Sequence, residues 1–261
     1  MTRDTHSESV PADAEESGGT EHQAGDRTDG EASNAVTFEG TDLVVGYPTA
    51  EEPVIDEESV IAAPGEVTAL VGPNGSGKST LLKGLADQVT PDEGEVLVDG
   101  ADVRSLDSKE LARRVGLLSQ ENVSPESLSV EKLVERGRYP HRGFFDGLST
   151  TDREAIDRAI HLAGVDHLRE RPLGSLSGGQ KQLVWIAMVL AQETDVLLLD
   201  EPTTFLDMHH QLQVMEIIGT LRDQGDVTVV VVLHDVEQAA RFADRRGESI
   251  AALRRRGRPS L

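Results

Sequence analysis

Residues 72–80, GPNGSGKST, constrain this chain more than any other stretch. They fit the pattern Gly-x-x-x-x-Gly-Lys-Ser/Thr with Gly72, Gly77, Lys78 and Ser79. EVTALVG before them reads as a strand, and KSTLLKGLADQV reads as a helix. Strand, loop, helix is the order in which such a loop works. Its glycines let the backbone wrap a phosphate chain, and N–H groups at the helix N-terminus face the negative charge. Lys78 is expected on the β- and γ-phosphates of a nucleotide and the Ser79 hydroxyl on Mg²⁺. Pro73, Asn74, Gly75, Ser76 and Thr80 complete the expected phosphate-binding set.

The rest of the chain supplies the sheet that such a loop needs. VTFEGTDLVVGY and PVIDEESVIAA read as an N-terminal β segment, and EVLVDG and VGLLSQ as further strands. Residues 130–172 turn helical, and TTDREAIDRAIHLAGVDHL has apolar spacing near 3.6. VWIAMVLAQ and HQLQVMEIIGTLRDQ read as helices, DVLLLDEP and VTVVVVLHD as buried strands. Uninterrupted apolar strands alternating with helices indicate an α/β fold whose mainly parallel sheet is covered on both faces. The expected organisation is a tail over residues 1–34, one folded domain over 35–244 with a helical insert at about 121–180, and an atypical end over 245–261. The tail is polar and acidic, without apolar patterning, and is expected to be disordered.

Chemistry concentrates at strand ends. DVLLLDEP closes an apolar run with Asp200 and Glu201; the first carboxylate suits the Mg²⁺ shell and the second suits a base that polarises water. Alone, such a pair more often caps a helix, and the phosphate loop upstream reverses that reading. Gln120 ends VGLLSQ, within reach of the metal or the water. His234 ends VTVVVVLH and could bond a γ-phosphate, and Tyr47 could stack on an adenine. Singly, each of these three is more often structural.

A second glycine stretch, LSGGQ at residues 176–180, opens another apolar run. With GPNGSGKST, Gln120, DVLLLDEP and His234 in this order, the chain resembles the ATP-binding subunit of ABC transporters across residues 36–244. The resemblance implies a P-loop NTPase core of the ABC ATPase type that hydrolyses ATP with Mg²⁺. It also implies a homodimer paired head to tail, in which Ser177, Gly178, Gly179 and Gln180 of one copy close on the ATP held by the other. Asp207, in TTFLDMHH, becomes the loop residue that crosses between copies, and Tyr47 the adenine-stacking aromatic. ERGRYPHRG and DEPTTFLDMHHQLQVMEII look like importers of iron-siderophore, haem or vitamin B12 type. In that family the start of the helical insert docks two membrane permeases, which in turn meet an external binding protein. Arg136, Arg138 and Arg142 are expected there as unpaired cations.

Charge bears on location and partners. The chain has 25 Lys+Arg against 47 Asp+Glu, a formal net of −22, so its surface repels nucleic acid. Dense carboxylate with five lysines suggests adaptation to a high-salt cytoplasm. The first residues lack the apolar core of a signal peptide, and no stretch is apolar enough to span a membrane. The expected location is the cytoplasmic face of the cell membrane, reached through the permease. The absence of cysteine excludes thiolate metal sites. The end departs from the rest: residues 245–261 carry six arginines and one acid. The resemblance implies a further strand, a turn and a helix after RFAD; IAAL stands where that strand is expected, and the arginine run that follows it suggests a truncation or frame change. Two rivals follow: a soluble ABC ATPase of an assembly or repair machine, and a truncated, nonfunctional subunit.

Overall fold

The computed structural model describes residues 35–48, 51–120, 122–143, 146–233 and, for the backbone, 248–252. The expectations for residues 1–34 and for His234 lie outside the described residues.

Two sheets build the core. The N-terminal strands β1 (Phe38–Val45) and β2 (Ile55–Ala62) pair antiparallel. They join β4 (Glu93–Val98) and the short β5 (Ala101–Asp102) in the order β2-β1-β4-β5. The second sheet is parallel and contains β3 (Val67–Val71), β6 (Val115–Leu118), β7 (Val196–Asp200), β8 (Thr228–Val232) and β9 (Glu248–Ala252). Its order is β6-β7-β8-β3-β9, so the expected strand at IAAL forms an edge beside β3.

The apolar runs are uninterrupted because successive side chains of β7 and β8 enter different cores. Leu197, Leu199, Val229 and Val231 pack with the helical side of the molecule. Val196, Leu198, Val230 and Val232 pack with Phe38, Leu43 and the rest of the antiparallel sheet. Helix α1 (Lys78–Leu85) follows the phosphate loop and buries Leu81, Leu82 and Leu85 against that second core.

The sequence reading passed over α2 (Ser108–Arg114), although a signal was present. Asp107 caps it, accepting hydrogen bonds from the Lys109 and Glu110 amides.

Between β6 and β7 lie α3 (Val130–Val134), a 3₁₀ segment (Glu135–His141), α4 (Thr150–Leu162) and α5 (Gly178–Leu190). Arg138 overturns one expectation here. It is not an unpaired surface cation but is 3% exposed. Its Nε donates to Asp152 at 2.9 Å, and its Nη1 donates to Glu193 and to the Ala191 carbonyl, each at 2.8 Å. A guanidinium so enclosed needs carboxylates around it, since an unpaired buried charge is costly. Arg142 is engaged as well, donating to the Asp146 carbonyl at 2.5 Å. Of the three arginines, only Arg136 is exposed without a recorded partner among the described residues.

Burial alone would raise the Asp152 carboxyl. The Ser149 hydroxyl, Arg138 and the Ser149 amide outweigh it and hold the group at about 2. Its pKa is thus depressed on folding, so its contribution is complete above the ordinary carboxylate range and is lost as pH falls through about 2. Acid unfolding followed by circular dichroism should show Asp152→Asn losing part of the stability difference between pH 5 and pH 2; an unaltered profile would remove Asp152 from the acid transition.

Candidate nucleotide site

Parallel strands in register bring separate sequence segments to one edge. Leu118 lies opposite Leu199, Asp200 opposite Val232, and Val232 opposite Leu70. The carboxyl ends of β3, β6, β7 and β8 therefore converge, which is where open α/β sheets bind ligands. The phosphate loop leaves β3 there, Asp200 ends β7, and Gln120 follows β6 by two residues.

The loop has the backbone its glycines permit. Gly75 and Gly77 have φ of 76° and 95°. A Cβ on Gly77 would come within 2.5 Å of the Ile55 Cδ1 methyl, which could shift, so it is the left-handed conformation that demands glycine. Pro73, Asn74 and Gly75 are exposed, while Ser76 and Lys78 are buried. The Lys78 ammonium donates to the carbonyls of Gly72 at 2.9 Å and Pro73 at 3.2 Å, folded back over the loop it serves. The buried Ser76 hydroxyl has no protein partner, which fits a cradle whose polar groups are completed by phosphate. Tyr47 lies beside this loop: its hydroxyl is 3.4 Å from Thr80 Oγ1 and the residue is 39% exposed.

The residues expected to hold Mg²⁺ meet across the sheet. Ser79 Oγ donates to Asp200 Oδ1 at 2.8 Å, 121 residues apart in sequence. A hydroxyl and a carboxylate oxygen are hard donors suited to this cation. Burial pushes the Asp200 carboxyl above its ordinary range and the Glu201 charge adds to this, against the Ser79 hydroxyl, Lys83 and Lys78. Gln120 is turned toward Glu201 rather than toward Asp200: its Nε2 donates to Glu201 Oε2 at 2.9 Å. Glu201 itself is buried, with a left-handed backbone at φ 50°.

The family profile described as "ABC transporter" matches residues 55–204, more than half of the chain. This chain belongs to the ABC transporter family.

Within it, the chain is an ATP-binding subunit that hydrolyses ATP in support of transport. It is 45% identical over 204 residues to the ferric enterobactin transport ATP-binding protein FepC of Escherichia coli (strain K12), covering 78% of this chain and 74% of that one. It is 41% identical over 191 residues to the cobalamin import ATP-binding protein BtuD of Halobacterium salinarum, covering 73% of this chain and 48% of that protein. Among solved structures, the dimeric bacterial ABC transporter cassette MJ0796 superposes with a TM-score of 0.71 at 30% identity, over 83% of this chain and 94% of that one.

The ABC signature LSGGQ is not a free turn here but the start of α5. Ser177 caps the helix: its hydroxyl accepts from the Gln180 amide at 3.2 Å, and Gln180 Oε1 accepts from the Ser177 amide at 3.1 Å. The two glycines differ. A Cβ on Gly179 would fall 2.4 Å from the His210 ring, whereas one on Gly178 would meet nothing within 4 Å. Packing within this chain thus explains Gly179 and leaves Gly178 unexplained. Asp207 caps α6 (Met208–Gln224), accepting from the His210 amide at 3.0 Å and pairing with His210 Nδ1 at 2.9 Å. The His210 amide and then its ring hold the Asp207 carboxyl below the ordinary range. His210, which the sequence reading did not single out, thus touches both the signature helix and the Asp207 loop. Its only sequence signal is its position three residues after a helix-capping acid.

Proposed function

We propose that two copies of this chain bind two ATP molecules head to tail and, on the cytoplasmic face of the membrane, power a permease that imports an iron chelate or a corrinoid. The observation that carries the paired arrangement is Gly178: exposed at the N-terminus of α5, glycine where its own chain leaves room for a side chain. A residue kept small with nothing of its own to avoid fits the close approach of something from outside. Among the described residues, Ser177 and Gln180 bond to each other and not to the phosphate loop. The signature residues are therefore assigned to the partner's nucleotide, with Asp207 crossing nearby.

In this reading residues 72–80 wrap the phosphates, Lys78 leaves the loop carbonyls for the β- and γ-phosphates, and Tyr47 faces the adenine. Ser79 and Asp200 would hold Mg²⁺, which when bound would supply charge neutralisation at the phosphates. Glu201 accepts the proton of the attacking water, Gln120 orients the Glu201 carboxylate, and His234 is assigned to the γ-phosphate.

The insert, at about 121–180, is assigned to the permease. Its 3₁₀ segment is tied to the end of the signature helix by three contacts. Gly137 approaches the Met188 carbonyl so closely that a Cβ would lie 2.1 Å from it. Arg138 donates to Ala191, and His141 Nε2 lies 2.7 Å from the Gln192 carbonyl. Arg136 and Tyr139, the latter 72% exposed, face outward from this platform and are the docking side chains. Motion of LSGGQ on a nucleotide thus carries the docking segment with it. The iron-chelate and corrinoid assignment rests on the enterobactin and cobalamin transport functions of the relatives, and an external binding protein delivers the solute to the permease. Among the described residues no helix is long and apolar enough to cross a membrane.

The cysteine-free sequence allows a direct test. Asn74→Cys with Ser177→Cys should oxidise to a covalent dimer, promoted by ATP, because a disulfide requires α-carbons within about 7 Å. A bridge within one chain on a non-reducing gel would overturn the paired arrangement.

A further inference from the structure

We propose that Thr204 is a positioning residue for hydrolysis: its hydroxyl aims the Glu201 carboxylate and ties it to the exposed turn leading to Asp207. The proposal rests on Glu201 being the base. Two donors converge on one oxygen, Glu201 Oε2, with Gln120 Nε2 at 2.9 Å and Thr204 Oγ1 at 3.2 Å. They arrive from different places, Gln120 from the end of β6 and Thr204 from the turn that Glu201 itself begins. The Thr204 amide also donates to the Glu201 carbonyl at 3.1 Å, closing that turn and fixing where the hydroxyl points.

A carboxylate on a flexible side chain needs such constraints, since proton transfer depends on its orientation toward the water. Both donors on one oxygen fix the plane of the carboxylate. The left-handed backbone of Glu201 marks the same turn as held by its surroundings, because an L-residue adopts φ near 50° only under constraint.

The outward side of the turn gives Thr204 a second consequence. Phe205, the next residue, is also left-handed at φ 61° and is 97% exposed; Asp207 follows, with its side chain 66% exposed. One short turn thus holds the base inward through Thr204 and presents Phe205 and Asp207 outward.

The test compares Thr204→Val, which keeps the shape and removes the donor, with Thr204→Ser, which keeps the donor. Hydrogen bonds to charged groups support an expected fall in kcat of about tenfold to a hundredfold for T204V, with KM for ATP within about twofold and T204S near wild type. ATP-dependent dimer formation in an E201Q background should be the same with and without T204V, measured by size-exclusion chromatography. Wild-type turnover by T204V, or equal slowing of T204V and T204S, would overturn the proposal. Should T204V fold poorly by thermal melting, Thr204→Ala removes the same donor and is read in the same way. Glu201→Gln run in parallel separates the two ideas: a fully active E201Q removes the base, whereas a slow E201Q beside an active T204V removes only the role of Thr204.

Discussion

Glu201→Gln should retain ATP and lose turnover by about a hundredfold or more, the usual contribution of a positioned general base. The substitution keeps the size of the side chain and removes the carboxylate that Gln120 and Thr204 address. Nucleotide affinity should be preserved, because the phosphate contacts are assigned to residues 72–80, at a different strand end. With hydrolysis blocked, the ATP-bound pair should persist and elute as a dimer in size-exclusion chromatography. Steady-state phosphate release at the wild-type rate would assign the base elsewhere.

The largest stability effect is expected at Arg138. Arg138→Met leaves the Asp152 carboxylate and the Ala191 carbonyl without their shared donor in a site where the arginine side chain is 4% and the Asp152 side chain 7% exposed. Removing one member of a buried ion pair costs about 3–5 kcal/mol. That is a large part of the roughly 5–15 kcal/mol that holds a domain folded. Urea midpoints should drop accordingly. Adding Asp152→Leu should recover some of the loss by removing the stranded charge, though not all, since Asp152 also completes the cap of α4 with Ser149. Arg138→Lys should recover little, because an ammonium cannot reproduce the fork that reaches Asp152, Glu193 and Ala191 together. An R138M midpoint equal to wild type would mean that the enclosed pair contributes nothing net.

The sequence by itself determined those features whose physics is local or periodic. GPNGSGKST between a strand and a helix announced a phosphate cradle, because glycine at left-handed φ and a helix N-terminus need no distant partner. The double-sided burial of β7 and β8 was legible as uninterrupted apolar runs, since a strand covered on both faces has no polar side. The strand at residues 248–252 was expected, at IAAL, only from the pattern of the resembled family.

Only the tertiary structure decided which side chains meet. Ser79 finds Asp200, and Gln120 finds Glu201, because parallel register aligns the ends of strands far apart in sequence. Nothing in ERGRYPHRG distinguishes a buried arginine from exposed ones. Arg138 turns inward because α4 and the end of α5 supply carboxylates and a carbonyl around it, whereas Arg136 points away. Thr204 looks like its neighbour Thr203 in the sequence. The left-handed turn at Glu201 gives its hydroxyl a carboxylate to hold, and that geometry belongs to the fold rather than to the composition.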